Sequence, residues 1–260
     1  MYRIIFLILL IPFSFTASAQ KSKKQRQAEK RAHVNDLIKQ EEEGIIAYQK
    51  SFVFGAKLTT DGYGAFLELG RASSVKKALL YQLEITERKH IKEDKQSNPF
   101  INSIPFIYGK KNFVYPAKLG VQQQILLGNK SNKNGVSVTA NYGGGLTLAL
   151  LRPYYLQVQK GNELEYIKYD SPDSSLFLNP SGIYGGPTFG RGWSDLTVTP
   201  GVYAKTALRV DYGSYNEIVS AIEVGLTADY YTKKIPILLK TDPRQFFFSG
   251  YVAIVFGKRK

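Results

Sequence analysis

Residues 136–150 read VSVTANYGGGLTLAL, and the spacing of their apolar side chains decides the fold. Val136, Val138, Ala140, Tyr142, Gly144, Leu146, Leu148 and Leu150 share one phase, while Ser137, Thr139, Asn141, Gly143, Gly145 and Thr147 share the other. A period of two is the signature of a strand, whose side chains point alternately to opposite faces. No position of the first phase is charged, and the run exceeds the roughly 9–11 residues that a β-strand needs to cross a bilayer. Gly143, Gly144 and Gly145 lie mid-strand, where glycine serves curvature or close packing rather than a phosphate-binding loop.

The same alternation recurs on both sides of this stretch. Upstream, Phe52, Phe54, Ala56 and Leu58 oppose Val53, Gly55 and Lys57; after the turn at Asp61 and Gly62, Ala65, Leu67 and Leu69 oppose Phe66, Glu68 and Gly70. Leu79, Tyr81, Leu83 and Ile85 then oppose Leu80, Gln82 and Glu84, and Phe113, Tyr115, Ala117, Leu119 and Val121 oppose Lys118, Gly120, Gln122 and Gln124. Downstream, Val202, Ala204, Thr206, Leu208 and Val210 face away from Tyr203, Lys205, Arg209 and Asp211. Ile222, Val224, Leu226, Ala228 and Tyr230 oppose Glu223 and Asp229, and Phe246, Phe248, Val252, Ile254 and Phe256 oppose Tyr251, Ala253 and Val255.

All charges of these runs therefore fall on the second face. The pattern predicts an all-β chain: a membrane-spanning antiparallel up-and-down β-barrel of eight strands, or ten if residues 154–169 enter the wall. Its lumen would hold a charge network of Lys57, Glu68, Glu84, Lys118, Lys205, Arg209, Glu223 and Asp229, joined by Asp211. A soluble β-sandwich alternates too, with the apolar face as core. Export, the even strand count, and aromatics near strand ends (Phe52, Phe54, Phe113, Tyr115, Tyr230, Phe246, Phe256) favour lipid on the apolar side.

Export is read from residues 1–19 as a signal peptide. Arg3 precedes an apolar run that is too short to span a bilayer, and Ala17, Ser18 and Ala19 form a small-residue cleavage site before Gln20. Residues 20–50 read as a basic periplasmic arm, helical or flexible, with Lys21, Lys23, Lys24, Arg26, Lys30 and Arg31 ahead of Glu41, Glu42 and Glu43. The barrel occupies 51–260, with a long extracellular insertion at 151–196, in which residues 155–159 and 164–169 form a hairpin around Lys160, Gly161 and Asn162. The absence of Cys excludes disulfides, a lipobox anchor and cysteine-based metal sites.

The connections check the orientation independently. With the arm periplasmic, the turns after strands 2, 4 and 6 are periplasmic and short, while three of the four on the outer side are long, as in known barrels. Both termini then lie in the periplasm. The final aromatic strand, Phe246 to Phe256, together with the signal-peptide site and Tyr108-Gly109-Lys110-Lys111-Asn112, resembles the small, uncharacterised outer-membrane β-barrel proteins of the Bacteroidota. That resemblance implies a location rather than a reaction; the basic tail after Phe256 departs only from the C-terminal strand of outer-membrane barrels in general, which the ending otherwise resembles.

An eight-stranded barrel is just wide enough for side chains to fill. The expected function is a non-catalytic structural element or accessory subunit of an outer-membrane complex, with a small porin and a lipid A acyl-modifying enzyme as the alternatives. The net charge of +14 then falls on arm, loops and tail, where Lys92, Lys95, Lys110, Lys111, Lys233 and Lys234, with Lys89, Lys240 and Arg244, are placed to meet lipopolysaccharide phosphates. The partners implied are outer-membrane lipid and lipopolysaccharide, and no nucleic acid. An acyl-modifying site needs Ser, His and a carboxylate within hydrogen-bond reach. Only His33, in the arm, and His90 are available, with Asp170 and Ser171 or Asp173 and Ser174 as conceivable partners of His90. No catalytic residue, metal site or cofactor is assigned, since no ligand spacing or nucleotide fingerprint occurs.

Overall fold

The computed structural model describes residues 49–260 except 75, 98–103, 130–134, 171, 173 and 214–216, together with 25, 27–29, 31, 32 and 35. Residues 1–19, read from the sequence as a signal peptide, most of the expected arm, His33, Ser171 and Asp173 lie outside the described residues. Those described between 25 and 35 are helical and exposed.

Eight strands close into one antiparallel ring: β1 (Lys50–Thr59), β2 (Gly62–Ser74), β3 (Lys77–Arg88), β6 (Asn112–Gly128), β7 (Ser137–Pro153), β11 (Thr197–Asp211), β12 (Ile218–Ile235) and β13 (Arg244–Arg259). Each pairs with its sequence neighbour in the ring, and β1 pairs with β13 to seal it. Every phase predicted from the alternation is observed. In β12, for example, Ala221, Glu223, Gly225, Thr227, Asp229 and Tyr231 are buried, and the residues between them are exposed or half-buried. A closed ring also leaves no sheet edge whose backbone groups need a partner.

The remaining strands do not enter the wall. β4 (Lys95–Gln96) pairs with β5 (Phe106–Ile107), and β8 (Tyr155–Lys160), β9 (Glu163–Lys168) and β10 (Ile183–Gly185) form a separate three-stranded sheet. The ten-strand alternative is thus excluded. The predicted hairpin is β8 and β9, and Gly161 takes the positive φ of 64° that its two-residue turn demands. The insertion starts later than expected, because β7 continues in register with β11 to Leu151 and with β6 as far as Pro153. Likewise β12 runs on to Ile235, so Lys233 and Lys234 sit on a strand end rather than in a loop.

The ring has a high side and a low side. β6, β7, β11 and β12 have 15–18 residues each, and β1, β2 and β3 have 10–13. Above the high side, Tyr154, Leu156, Val158, Ile167, Phe177 and Ile183 of the insertion pack with Val114, Leu151, Tyr231 and Ile235 of the wall as one apolar cap. The first residues of the barrel and the C-terminal residue meet at the opposite, turn end, where the Gln49 and Lys50 amides donate to the Lys260 carbonyl at 2.8 Å.

Candidate functional site

The outer wall is apolar from rim to rim. Phe54, Leu67, Leu83, Leu119, Leu146, Leu208, Val224 and Ile254 are each half exposed to the surroundings. Exposed apolar area on this scale, encircling the molecule, is far beyond the few hundred Å² that a water-facing monomer shows. Lys50, Arg71, Lys77 and Lys258 mark where this belt stops at the turn end.

Inside, the structure places Lys57, Glu68, Glu84, Lys118, Lys205, Arg209, Glu223 and Asp229 in buried positions and joins them into two clusters. In the first, Arg209 grips both oxygens of Glu68 at 2.8 Å and reaches Glu223 at 2.6 Å, and Lys205 meets Glu223 at 3.0 Å. Tyr251 and Asn141 donate to the remaining Glu223 positions at 2.6 and 3.1 Å. The second runs from Lys57 through Glu84 and Lys118 to Asp229, with contacts of 2.6, 3.6 and 2.8 Å.

Three members were missed by the alternation. Arg88 bridges Asp229 and Asp61, each at 2.6 Å, and Arg259 holds Asp211 at 2.7 Å. With them the lumen set is balanced: cations Lys57, Arg88, Lys118, Lys205, Arg209 and Arg259 against carboxylates Asp61, Glu68, Glu84, Asp211, Glu223 and Asp229. Arg259 also gives the basic tail a structural task. Carboxylates that give up water must be repaid by such pairs, since a lone buried charge costs several kcal/mol.

Aromatic rings fill the space between the ion pairs. Tyr203 lies across Gly120, where a Cβ would collide with its hydroxyl and with the Gly144 carbonyl, so glycine here makes room for a ring inside the lumen. Toward the turn end, Val53, Val219, Ala221, Ala253 and Val255 add an apolar layer with Phe66 and Tyr251.

The loop end is closed by a strap. Residues 104–112 lie against 236–239: Lys111 N–H donates to the Ile237 carbonyl at 2.8 Å, Leu239 N–H to Gly109 at 2.8 Å, and Asn112 Nδ2 to Pro236 at 2.9 Å. Gly109 turns the strap with φ of 70°. Beneath the low rim a small cavity of about 10 Å³ is lined by Lys57, Asp61, Arg88, Lys118, Thr227 and Ser249.

The strap overturns one expectation. Lys110 is not available to lipopolysaccharide: it is 1% exposed, bonded to Glu93 at 2.6 Å and seated over the Phe113 ring at 4.4 Å. Burial lowers the affinity of its ammonium for a proton, with Glu93 opposing the shift. Lys111 is half-buried beside Asp170 at 3.0 Å. Lys92, Lys95, Lys233, Lys234, Lys240 and Arg244 are exposed, and Lys89 partly so.

His90 has its Nδ1 engaged by the Lys92 N–H at 3.2 Å, and no hydrogen bond links it to Asp170 or Ser174 among the described residues. Burial and the nearby Arg244 draw its proton affinity down. No cluster of metal-ligating residues occurs among the described residues either.

The chain matches no protein-family model and no curated protein. Among solved structures it is similar to the N-terminal β-barrel domain of Pseudomonas aeruginosa OprF (TM-score 0.38, 9% identity, 81% of this chain and 98% of that one). Neisserial surface protein A is similar at TM-score 0.37 and 9% identity, over 82% and 96%. Ail, the attachment invasion locus protein of Yersinia pestis, solved with the heparin analogue sucrose octasulfate, is similar at 0.37 and 8%, over 82% and 99%. The assignment of the fold rests on the strand pairings themselves, which define a closed eight-stranded antiparallel barrel, apolar outside and ion-paired within.

Proposed function

We propose that the chain is a non-catalytic outer-membrane β-barrel of a Gram-negative cell, akin to the small barrels of the Bacteroidota. It has no open channel and serves as a structural element or accessory subunit of an outer-membrane complex. The observation that carries this reading is the state of the lumen. A water-filled pore leaves its lining accessible, whereas the mid-lumen charged side chains are at most 4% exposed and bonded to one another. The apolar belt supports a lipid surrounding, and the distribution of short and long connections supports periplasmic termini and outward-facing loops. Lys92, Lys95, Lys233, Lys234 and Lys240 then rim the outer face, where phosphates of lipopolysaccharide are the complementary partner.

Reconstitution into planar bilayers tests it. No steady, large conductance is expected, and a stable ion-conducting pore would establish a porin instead. Lipid A from a deletion strain is expected to keep its acyl pattern, and loss of deacylation on His90→Ala would establish an enzyme. Affinity purification from solubilised outer membranes, read by mass spectrometry, identifies the complex.

A further inference from the structure

One cation in the outward phase is buried rather than exposed. Arg152, at the loop end of β7, follows the phase of Leu146, Leu148 and Leu150 and pairs across to Phe113. It is nevertheless 3% exposed and has no carboxylate partner among the described residues. Aromatic rings replace the counterion: the guanidinium carbon lies 4.2 Å from the Phe113 centroid, 4.8 Å from Trp193, 5.6 Å from Tyr115 and 5.8 Å from Phe189. Its Nη1 donates to the Phe189 carbonyl at 2.8 Å, and Trp193 Nε1 donates to the same oxygen at 2.8 Å. Trp193 stacks on Tyr115, an outward residue of β6, at 5.5 Å and 18°.

Residues 186–195 are therefore folded back over the outside of the wall. Gly192 permits this with φ of 89°, at a place where any side chain would run into the Pro153 carbonyl and Arg152. The loop turns apolar surface away from the protein, since Phe189 is 81% exposed and Trp193 38%. Its height matters. Gln123, the outward amide near the turn end of β6, lies ten residues from Phe113. At ~3.4 Å per residue and a tilt of ~40° this is ~26 Å along the barrel axis, the height of the apolar band of such barrels. The Arg152 box thus marks the upper edge of the belt, the level at which Trp and Tyr concentrate in membrane proteins.

We propose that the 186–195 loop is a lipid-facing anchor, with Phe189 and Trp193 seated at the boundary between acyl chains and headgroups of the outer leaflet. Arg152 is its clamp and contacts no lipid itself. The proposal rests on the membrane reading above and adds to it a part of the chain outside the wall that touches lipid. Arg152 is suited to the task because its cationic plane binds several ring faces at once, which a carboxylate-paired side chain would not.

Trp193 is the chain's one tryptophan, so emission excited at the red edge, where the tyrosines do not absorb, reports on this loop alone. The full chain is reconstituted into phosphatidylcholine vesicles that carry bromine at graded acyl depths. Quenching is expected to be strongest for bromine near the carbonyl end and weaker toward the methyl end, with little quenching by aqueous acrylamide. Arg152→Met is expected to lose the bromolipid quenching and become open to acrylamide while the barrel keeps its heat-dependent gel mobility. An inserted barrel whose Trp193 ignores every bromolipid and responds to acrylamide like free tryptophan overturns the anchor and leaves the membrane reading intact. A chain that never inserts overturns both.

Discussion

Leu208 and Arg209 are adjacent in β11, yet one belongs to a surface without shape and the other to an interior matched atom by atom. The outer wall meets a fluid solvent, so it requires only that each side chain be apolar and of moderate size. The lumen is different, because each buried charge there is held by named partners at 2.6–3.0 Å. The wall should therefore tolerate apolar exchange and reject charge, whereas the lumen should reject the loss of any single partner.

The sharpest way to break this contrast is Glu223→Leu. It strips Arg209, Lys205, Asn141 and Tyr251 of a shared acceptor, and a cost of about 3–5 kcal/mol is expected, read by denaturant unfolding. The loss should be as large in detergent micelles as in lipid, because the damage is internal. Val224→Arg, one residue away, is expected to cost about 2–4 kcal/mol in a bilayer, whereas Val224→Leu should stay within about 0.5 kcal/mol. If the Arg variant folded into vesicles as readily as the parent chain, the faces would be assigned the wrong way round.

A smaller effect separates rim from lumen by pH. At the β1–β2 turn, burial pushes the Asp61 carboxyl up, but Arg88 and the hydroxyls of Ser249 and Thr59 outweigh it and hold it below the ordinary 3.8. A carboxyl depressed in the folded state adds stability above its unfolded value and loses it as pH falls through the lower folded value. Unfolding followed from pH 5 to pH 2 should show this loss, and Asp61→Asn should remove that part of the slope. The smallest effect is expected for the rim pair of Lys111 with Asp170, whose carboxylate is well exposed: Asp170→Asn should change stability by about 0–1 kcal/mol.

Strand phase was legible because a period of two is written locally, and every long run shows it. The ion pairs were legible only as a set. Alternation says that Glu68 and Arg209 share the interior, but their contact depends on the curvature of the ring, which no window of sequence contains. Arg88, Asp61 and Arg259 were missed because they sit at strand ends, where the apolar phase gives out. Lys110 reads as one more loop lysine, since its partner Glu93 lies elsewhere in the loop and its strap partner Leu238 belongs to a different one. Arg152 was hidden in the same way: the alternation loses its contrast at Leu151, so β7 appears to end before the residue that clamps the outside loop.

The seam between β1 and β13 has a kinetic consequence. All other wall contacts join consecutive strands, but Ser51 must find Arg259, roughly 200 residues along the chain. Loop-closure entropy grows with the logarithm of length, so this encounter is costlier by ~2.6 kcal/mol than closing a ten-residue hairpin. Pairings of such separation are formed late and slowly. Until the seam zips, the two terminal strands present bare backbone edges, and the charged side chains of the interior have no complete set of partners. Assembly is therefore governed by one slow event at the end rather than by the seven hairpins before it, and the sheet is most vulnerable to wrong pairing just before it becomes a barrel.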